Sequence, residues 1–423
     1  MTGKNILQIY KENPITTLAD DDIVIVQDVS QNKTGGTLWF RFKALLADIF
    51  AGKKILDETI TVGPGKDFAT IQEAIDSLEG YVIANCTISI DVDVGSYDEA
   101  VTFDCFVCTG NGTVKLEGDT RENAGQTFTC TGNIVDNGDG TATITLASSP
   151  TSGWEDSSDR IIIKNCTTAG NEGEYTINSR GGAAITYTTG SVTDETVLSY
   201  TTVTLKPSHE ITRTSEGQCI LIDGTGGVEI DGWHLDTFTG ANCNGVEVSG
   251  GGRVSCSGVS VESQDFGFSS KYSGNHIVCD AKCSAAGGLY GFFATSGGTI
   301  ETIGIATGCN SGVVVLYGGA IVAQNSKVYG CIGSGFLSKF PGSSIDARWT
   351  TAIGCSYGFD ARTSGSIDAN YATAQICAIA YRAYYKSYIW ATNTNANNHG
   401  NSTNYSPTTS NIEGNVDAII TWS

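Results

Sequence analysis

Methionine occurs once, proline 6 times and histidine 4 times in this chain of 423 residues. So few histidines leave little material for a histidine-rich metal centre. H-E-x-x-H, G-x-S-x-G and phosphate-loop motifs are all missing. Cations are also short: 24 Lys and Arg stand against 45 Asp and Glu, a formal charge of −21. That balance argues against nucleic acid and anionic membranes as partners. It also makes a strongly anionic polysaccharide an awkward ligand unless a cation intervenes. No apolar run approaches the roughly 18 residues of a membrane span, so no membrane insertion is expected. The opening MTGKNILQIY lacks the apolar core of a signal peptide. With 14 cysteines, that points to folding in a reducing cytoplasm and not to a disulfide framework. Any chemistry falls to carboxylates; no metal and no cofactor is expected.

What the chain does have is glycine, 53 of them, and a beat. From about residue 228 to 400 one short phrase recurs, an aliphatic residue set between small ones. Its aligned members are Val254, Ile277, Ile300, Ile321, Ile345, Ile367 and Ile389, at steps of 23, 23, 21, 24, 22 and 22. A second phrase keeps the same period: GVEV at 245, GFSS at 267, GFFA at 291, GVVV at 312, GFLS at 335, GFDA at 358 and AYRA at 380. Two phrases on one period mark a solenoid. Within each phrase apolar residues sit at i and i+2, the alternation of a strand. About 22 residues with short strands and glycine corners make one coil of a right-handed parallel β-helix, so residue n should stack under residue n+22. Cys309, Cys331, Cys355 and Cys377 then form an inward thiol ladder, with Cys256 and Cys279 sharing another slot.

In chain order, residues 1–56 read as a separate N-terminal unit, with strands over 23–29 and 37–42 and a helix over 43–50. Residues 57–124 hold a capping helix and the first coils. Asp67 is placed to cap a helix over 68–78, whose Ile71, Ala74, Ile75 and Leu78 make one apolar stripe that closes the first coil. Over 125–210 the beat is lost and short alternating strands with NGDG, GNEG and TTGS turns predict an inserted small antiparallel β barrel or sandwich. The regular parallel β-helix occupies 211–400, and 401–423 reads as a C-terminal cap. The fold class is all-β.

The stretch GPGKDFATIQEAID followed by such coils resembles the pectate-lyase-like β-helices of bacteriophage tailspikes and tail fibres. The upstream ITTLADDDIVIVQDVS…GGTLWFRFKALLADI looks like the segment that attaches such proteins to the virion. NYSPTTSNIEGNVDAIITWS looks like the stretch that closes them. The resemblance implies a homotrimer on the phage tail, folded in the host bacterial cytoplasm. It implies contact with tail or adaptor proteins through 1–56 and recognition of a bacterial surface glycan. It also implies an alternative, a depolymerase working with paired Asp and Glu.

The solenoid register says which acids could meet. Asp346 and Asp368 both follow the aligned Ile and point outward one coil apart, with Glu301 in the same slot two coils earlier. A second group, Asp231, Asp236, Glu247, Glu262 and Asp265, falls in the first regular coils; Asp236, Glu247 and Glu262 are its catalytic candidates. The bland alternative for both groups is solvated surface charge, with Arg348 and Arg382 as partners near the first. For glycan binding the candidates are the aromatics Trp349, Tyr371, Tyr384, Tyr385, Tyr388 and Trp390, which sugar rings can stack on. Packing against a core or a neighbouring subunit competes with that reading.

Overall fold

The computed structural model describes residues 53–54, 57–151, 153–154, 158–190, 192–237, 243–392, 403–406 and 419–421. The chain divides into Met1–Ala51 and Gly52–Ser423, and every described residue lies in the second unit. The strands and helix expected over 23–50, and most of the expected C-terminal cap, lie outside the described residues.

Three parallel sheets of twelve, ten and nine strands run the length of a β-solenoid. The twelve-stranded isoleucine sheet stacks Val254, Ile277, Ile300, Ile321, Ile345, Ile367 and Ile389 in register, as the first phrase requires. The ten-stranded aromatic sheet stacks Val246, Phe268, Phe292, Val313, Phe336, Phe359 and Tyr381, members of the second phrase. Their rings lie face to face inside: Phe268 on Phe292 at 5.1 Å, Phe336 on Phe359 at 4.9 Å, Phe359 on Tyr381 at 5.0 Å. The nine-stranded alanine sheet needs small inward residues, because the large rings opposite fill the interior. Ala285, Ala306, Val328, Ala352 and Ala374 occupy that ladder. All 14 cysteines are free thiols, and Cys309, Cys331, Cys355 and Cys377 are buried.

The first coil is closed by α1, Ile71–Asp76, which buries Ile71, Ala74 and Ile75. Its cap is Thr70, not Asp67. The Thr70 side chain accepts from the Glu73 N–H at 3.1 Å, and the Glu73 carboxylate takes the N–H groups of Ala69 and Thr70. Asp67 instead accepts from the Thr61 backbone and hydroxyl, so the helix starts three residues later than its acid suggested. No described helix is long and apolar enough to cross a membrane.

The lost beat is an inserted antiparallel domain. It leaves the solenoid after the isoleucine-sheet strand Thr113–Glu117 and returns at the alanine-sheet strand His209–Arg213. Its seven strands include Thr141–Thr145, Arg160–Lys164, Gly173–Gly181, Ala184–Thr188 and Thr202–Lys206. The sheet closes on itself: Cys130 bridges to Leu146, and the Ala147 N–H donates to the Thr129 carbonyl at 2.8 Å. It is therefore a barrel, with its own core of Ile144, Trp154, Ile161, Ile163, Ile177, Ile185 and Tyr187.

Candidate functional site

The barrel lies against the outer face of the alanine sheet. Asn165 donates to the Thr307 hydroxyl at 2.7 Å, the Thr202 and Thr307 hydroxyls meet at 3.0 Å, and Ser284 donates to the Gly125 carbonyl at 3.1 Å. Beneath it, two outward ladders run side by side, Glu210–His234–Ser260 and Thr212–Asp236–Glu262. Barrel strands lay cations over them. Lys164 Nζ is 2.5 Å from Glu262 Oε1, and Lys206 Nζ is 2.9 Å from Glu210 and 2.8 Å from Glu174.

Asp236 is the exception in this charged layer. Burial, then the neighbouring Glu262 and Glu210 carboxylates, push its pKa up to about 6. Among the described residues no donor reaches its carboxyl. His234, fully buried, sits 2.8 Å through Nδ1 from the Ser260 hydroxyl. Burial, reinforced by Lys206 and Lys164, drives its pKa well down, so it stands as a neutral imidazole. An acid that holds its proton up to about pH 6 beside a lysine-paired carboxylate is the division of labour that acid–base chemistry needs.

The isoleucine sheet carries the other stacked pair. Asp346 and Asp368 are register partners, as their slots require, and Glu301 and Trp390 extend the same ladder through Val322 and Asp368. Asp346, however, is taken up by its own neighbours. Arg348 donates to both its oxygens at 2.8 and 2.6 Å, and Gln324 donates at 2.6 Å. Burial raises this carboxyl, but those hydrogen bonds outweigh it and hold its pKa below the ordinary value. Asp368 lies 3.8 Å from Arg348. Asp346 is thus held as a carboxylate, which suits binding hydroxyls and not proton donation.

Aromatic rings border the same sheet on both sides. At the corner toward the alanine sheet, Trp349 and Tyr371 stack at 5.6 Å with planes 7° apart, and both are about half exposed, at 48% and 50%. At the corner toward the aromatic sheet, Tyr317 stacks on Phe340 at 4.2 Å, with Lys339 Nζ 4.6 Å above Phe340. Trp349, Tyr371, Tyr317, Phe340 and Tyr385 all have φ between 48° and 77°, a left-handed backbone that bulky residues rarely adopt. The solenoid tolerates that strain at corners and thereby turns the rings outward. Between the corners, Tyr388 and Trp390 stack at 6.2 Å, and at the corner toward the aromatic sheet Tyr384 meets Tyr385 edge-on at 3.9 Å.

Glu247 joins neither pair. It lies on the outer face of the aromatic sheet, 7% exposed, held by Lys271 at 2.9 Å, Gln218 at 3.1 Å and Asn244 at 2.5 Å. All three donors reach Oε2, which ties the carboxylate into the side chains around it. Sequence reasoning placed Asp236 and Glu262 in one group but missed their setting. Lys164 lies 98 residues from Glu262 in the chain and is brought over it only by the barrel. Tyr317 and Phe340 were missed as well, although their spacing of one coil was available as a signal.

No family model matches the chain, and no curated protein matches it. Three solved structures similar to it are tailspikes. Gp61 of Pseudomonas phage phi297 has 10% identity over 76% of this chain and 72% of that one, with a TM-score of 0.24. The gp54 tailspike of Acinetobacter baumannii bacteriophage AP22, solved with A. baumannii capsular saccharide, has 9% identity over 86% and 73%, at 0.28. Gp49 of Pseudomonas phage LKA1 has 12% identity over 77% and 73%, at 0.21. At such scores the likeness carries no weight on function, and the fold rests on the strand pairing of the chain itself. The chain is a parallel β-solenoid with an inserted antiparallel barrel, and the solved structures it is similar to include phage tailspikes.

Proposed function

We propose that this chain is a phage tailspike or tail-fibre protein that binds a host surface glycan along the flank of its solenoid. In this reading it works as a homotrimer, attached to tail or adaptor proteins through residues 1–56. The observation that carries it is the isoleucine flank, where outward aromatic rings on left-handed corners border Asp346, Arg348, Gln324 and Asp368. Flat exposed rings take the C–H faces of sugars, and ionised or amide side chains between them fix hydroxyls. The opening phrase GPGKDFATIQEAID and its resemblance support the virion assignment.

Asp236 and Glu262 favour a second reading, a depolymerase. A carboxylic acid with a pKa near 6 can protonate a glycosidic oxygen while a lysine-paired carboxylate serves as nucleophile or base. Their strands are one coil apart, ~4.8 Å, near the ~5 Å carboxyl separation of retaining enzymes.

Size-resolved analysis of surface polysaccharide from bound hosts, before and after incubation, separates the two. Shortening that disappears in Asp236→Asn and Glu262→Gln establishes the enzyme. Intact polymer, with cell binding lost in Trp349→Ala/Tyr371→Ala, establishes the adhesin. Cell binding that survives the aromatic double variant refutes the isoleucine flank as the binding surface.

A further inference from the structure

We infer that the glycan site continues from the aromatic corner into an acidic groove that selects a chain bearing free amino groups. The inference rests on the glycan reading above and adds the ligand's chemistry. A groove of about 640 Å³ opens on the outer face of the isoleucine sheet, over the coils that precede the aromatic flank. It follows one ladder, Lys115, Glu229, Ser255, Val278, Glu301 and Val322, whose next members are Asp346 and Asp368. At about 4.8 Å per coil that ladder is roughly 34 Å long.

The groove and the aromatic corner are one surface. Asn325, which lines the groove, has a φ of 63° and donates its N–H to the Arg348 carbonyl; Trp349 repeats that bond to Asn370, and Tyr371 repeats it to Thr392. Asn325, Trp349 and Tyr371 are thus three rungs of one corner. Apolar contact surface extends into the groove through Ile303 and Val322, both more than 40% exposed. A ligand stacked on Trp349 and Tyr371 and running along the solenoid axis enters this groove.

Charge then decides what can lie there. The lining holds four carboxylates, Glu229, Asp231, Asp280 and Glu301, against the single cation Lys115. That cation is itself engaged, 2.8 Å from Glu117 and 3.5 Å from Asp231. Asp280 is consumed by the Ser257 hydroxyl and the Lys282 N–H, each at 2.9 Å. Among the described residues, His276 at 3.4 Å is the one ion-pair neighbour of Glu301, and Glu229 is exposed with none. A polyanion is repelled where the four carboxylates line the groove, while an ammonium group gains contacts at Glu229 and Glu301.

The test uses the full chain at about 0.15 M ionic strength and mildly acid pH, where sugar amines are charged. Calorimetry compares a hexamer of glucosamine with the same hexamer fully N-acetylated. The expected result is about tenfold tighter binding of the amino oligomer, the worth of one or two exposed ion pairs. That preference should be lost in Glu229→Gln/Glu301→Gln and kept in Glu216→Gln, an acid outside the groove. Both oligomers binding equally, and both failing with Trp349→Ala, overturns the amine selection and leaves the glycan reading standing. An amino preference that survives the double substitution overturns it too, since diffuse net charge would then be the cause. Neither oligomer binding also overturns it, and the glycan reading is then judged on host-cell binding by Trp349→Ala/Tyr371→Ala.

Discussion

Two pairs of acids stack one coil apart on the same solenoid, Asp236 with Glu262 on the alanine sheet and Asp346 with Asp368 on the isoleucine sheet. Their backbone geometry is the same, yet their chemistry is opposite. The first is roofed by the inserted barrel, which removes water and leaves Asp236 facing two other carboxylates, so its pKa rises to about 6. The second is open, and Arg348 and Gln324 supply the donors that hold Asp346 below the ordinary value. Register brings like charges together; cover and local donors decide whether one of them keeps its proton. A third acid, Asp360 on the aromatic sheet, shows the limit. It is fully buried yet gripped by Arg362, Arg382 and the Ser334 hydroxyl.

The largest effect expected is at that limit. Replacing both arginines, Arg362→Met/Arg382→Met, leaves the Asp360 carboxyl buried with Ser334 alone. It should cost about 3–5 kcal/mol in urea unfolding, and a cost near zero would remove Asp360 from the comparison.

Next in size is the pH dependence of the roofed pair. The Asp236 pKa is raised in the folded state, so between pH ~4 and ~6 the native protein holds a proton that the unfolded chain has released. Its contribution is therefore fully present below pH ~4 and is lost as pH rises through ~6. Because the group is partly exposed, screening reduces the effect to about 1–2 kcal/mol. Asp236→Asn should flatten stability over that window. Asp346, with its lowered pKa, has the opposite sign: its contribution is present above the unfolded value and lost on acidification below it.

A smaller effect separates cover from repulsion. Glu262→Gln removes one of the two carboxylates facing Asp236, so the Asp236 pKa should fall from about 6 without reaching the ordinary carboxylate value, because burial remains. Carboxyl-carbon NMR titration reads this directly, and an unmoved pKa would remove Glu262 as a cause and leave burial and Glu210. The smallest effect is on the open flank. Asp368→Asn should change stability by no more than about 0.5 kcal/mol and leave Asp346 low, since Arg348 and Gln324 hold it.

The coils were legible because a solenoid writes its register into the chain: every aligned Ile from Ile277 to Ile389 pairs with the next. Asp360 pairs with Arg382, and Phe359 with the buried Tyr381, one coil apart by the same register. The helix start was misread because an acid and a threonine three residues apart both resemble a cap. Thr70 prevails because Glu73 completes a reciprocal pair of bonds that Asp67 has no partner for.

Local alternation and a 22-residue period determined the strands, the stacking and the slot of each outward residue, because those depend on neighbours one coil away. The roof over Asp236 and Glu262, the outward turn of Trp349, Tyr371, Tyr317 and Phe340, and the acidic groove were decided only by the tertiary structure. Each depends on what covers a surface or bends at a corner, and such cover comes from segments like Lys164 that lie 98 residues away. A period carries no information about a barrel that interrupts it.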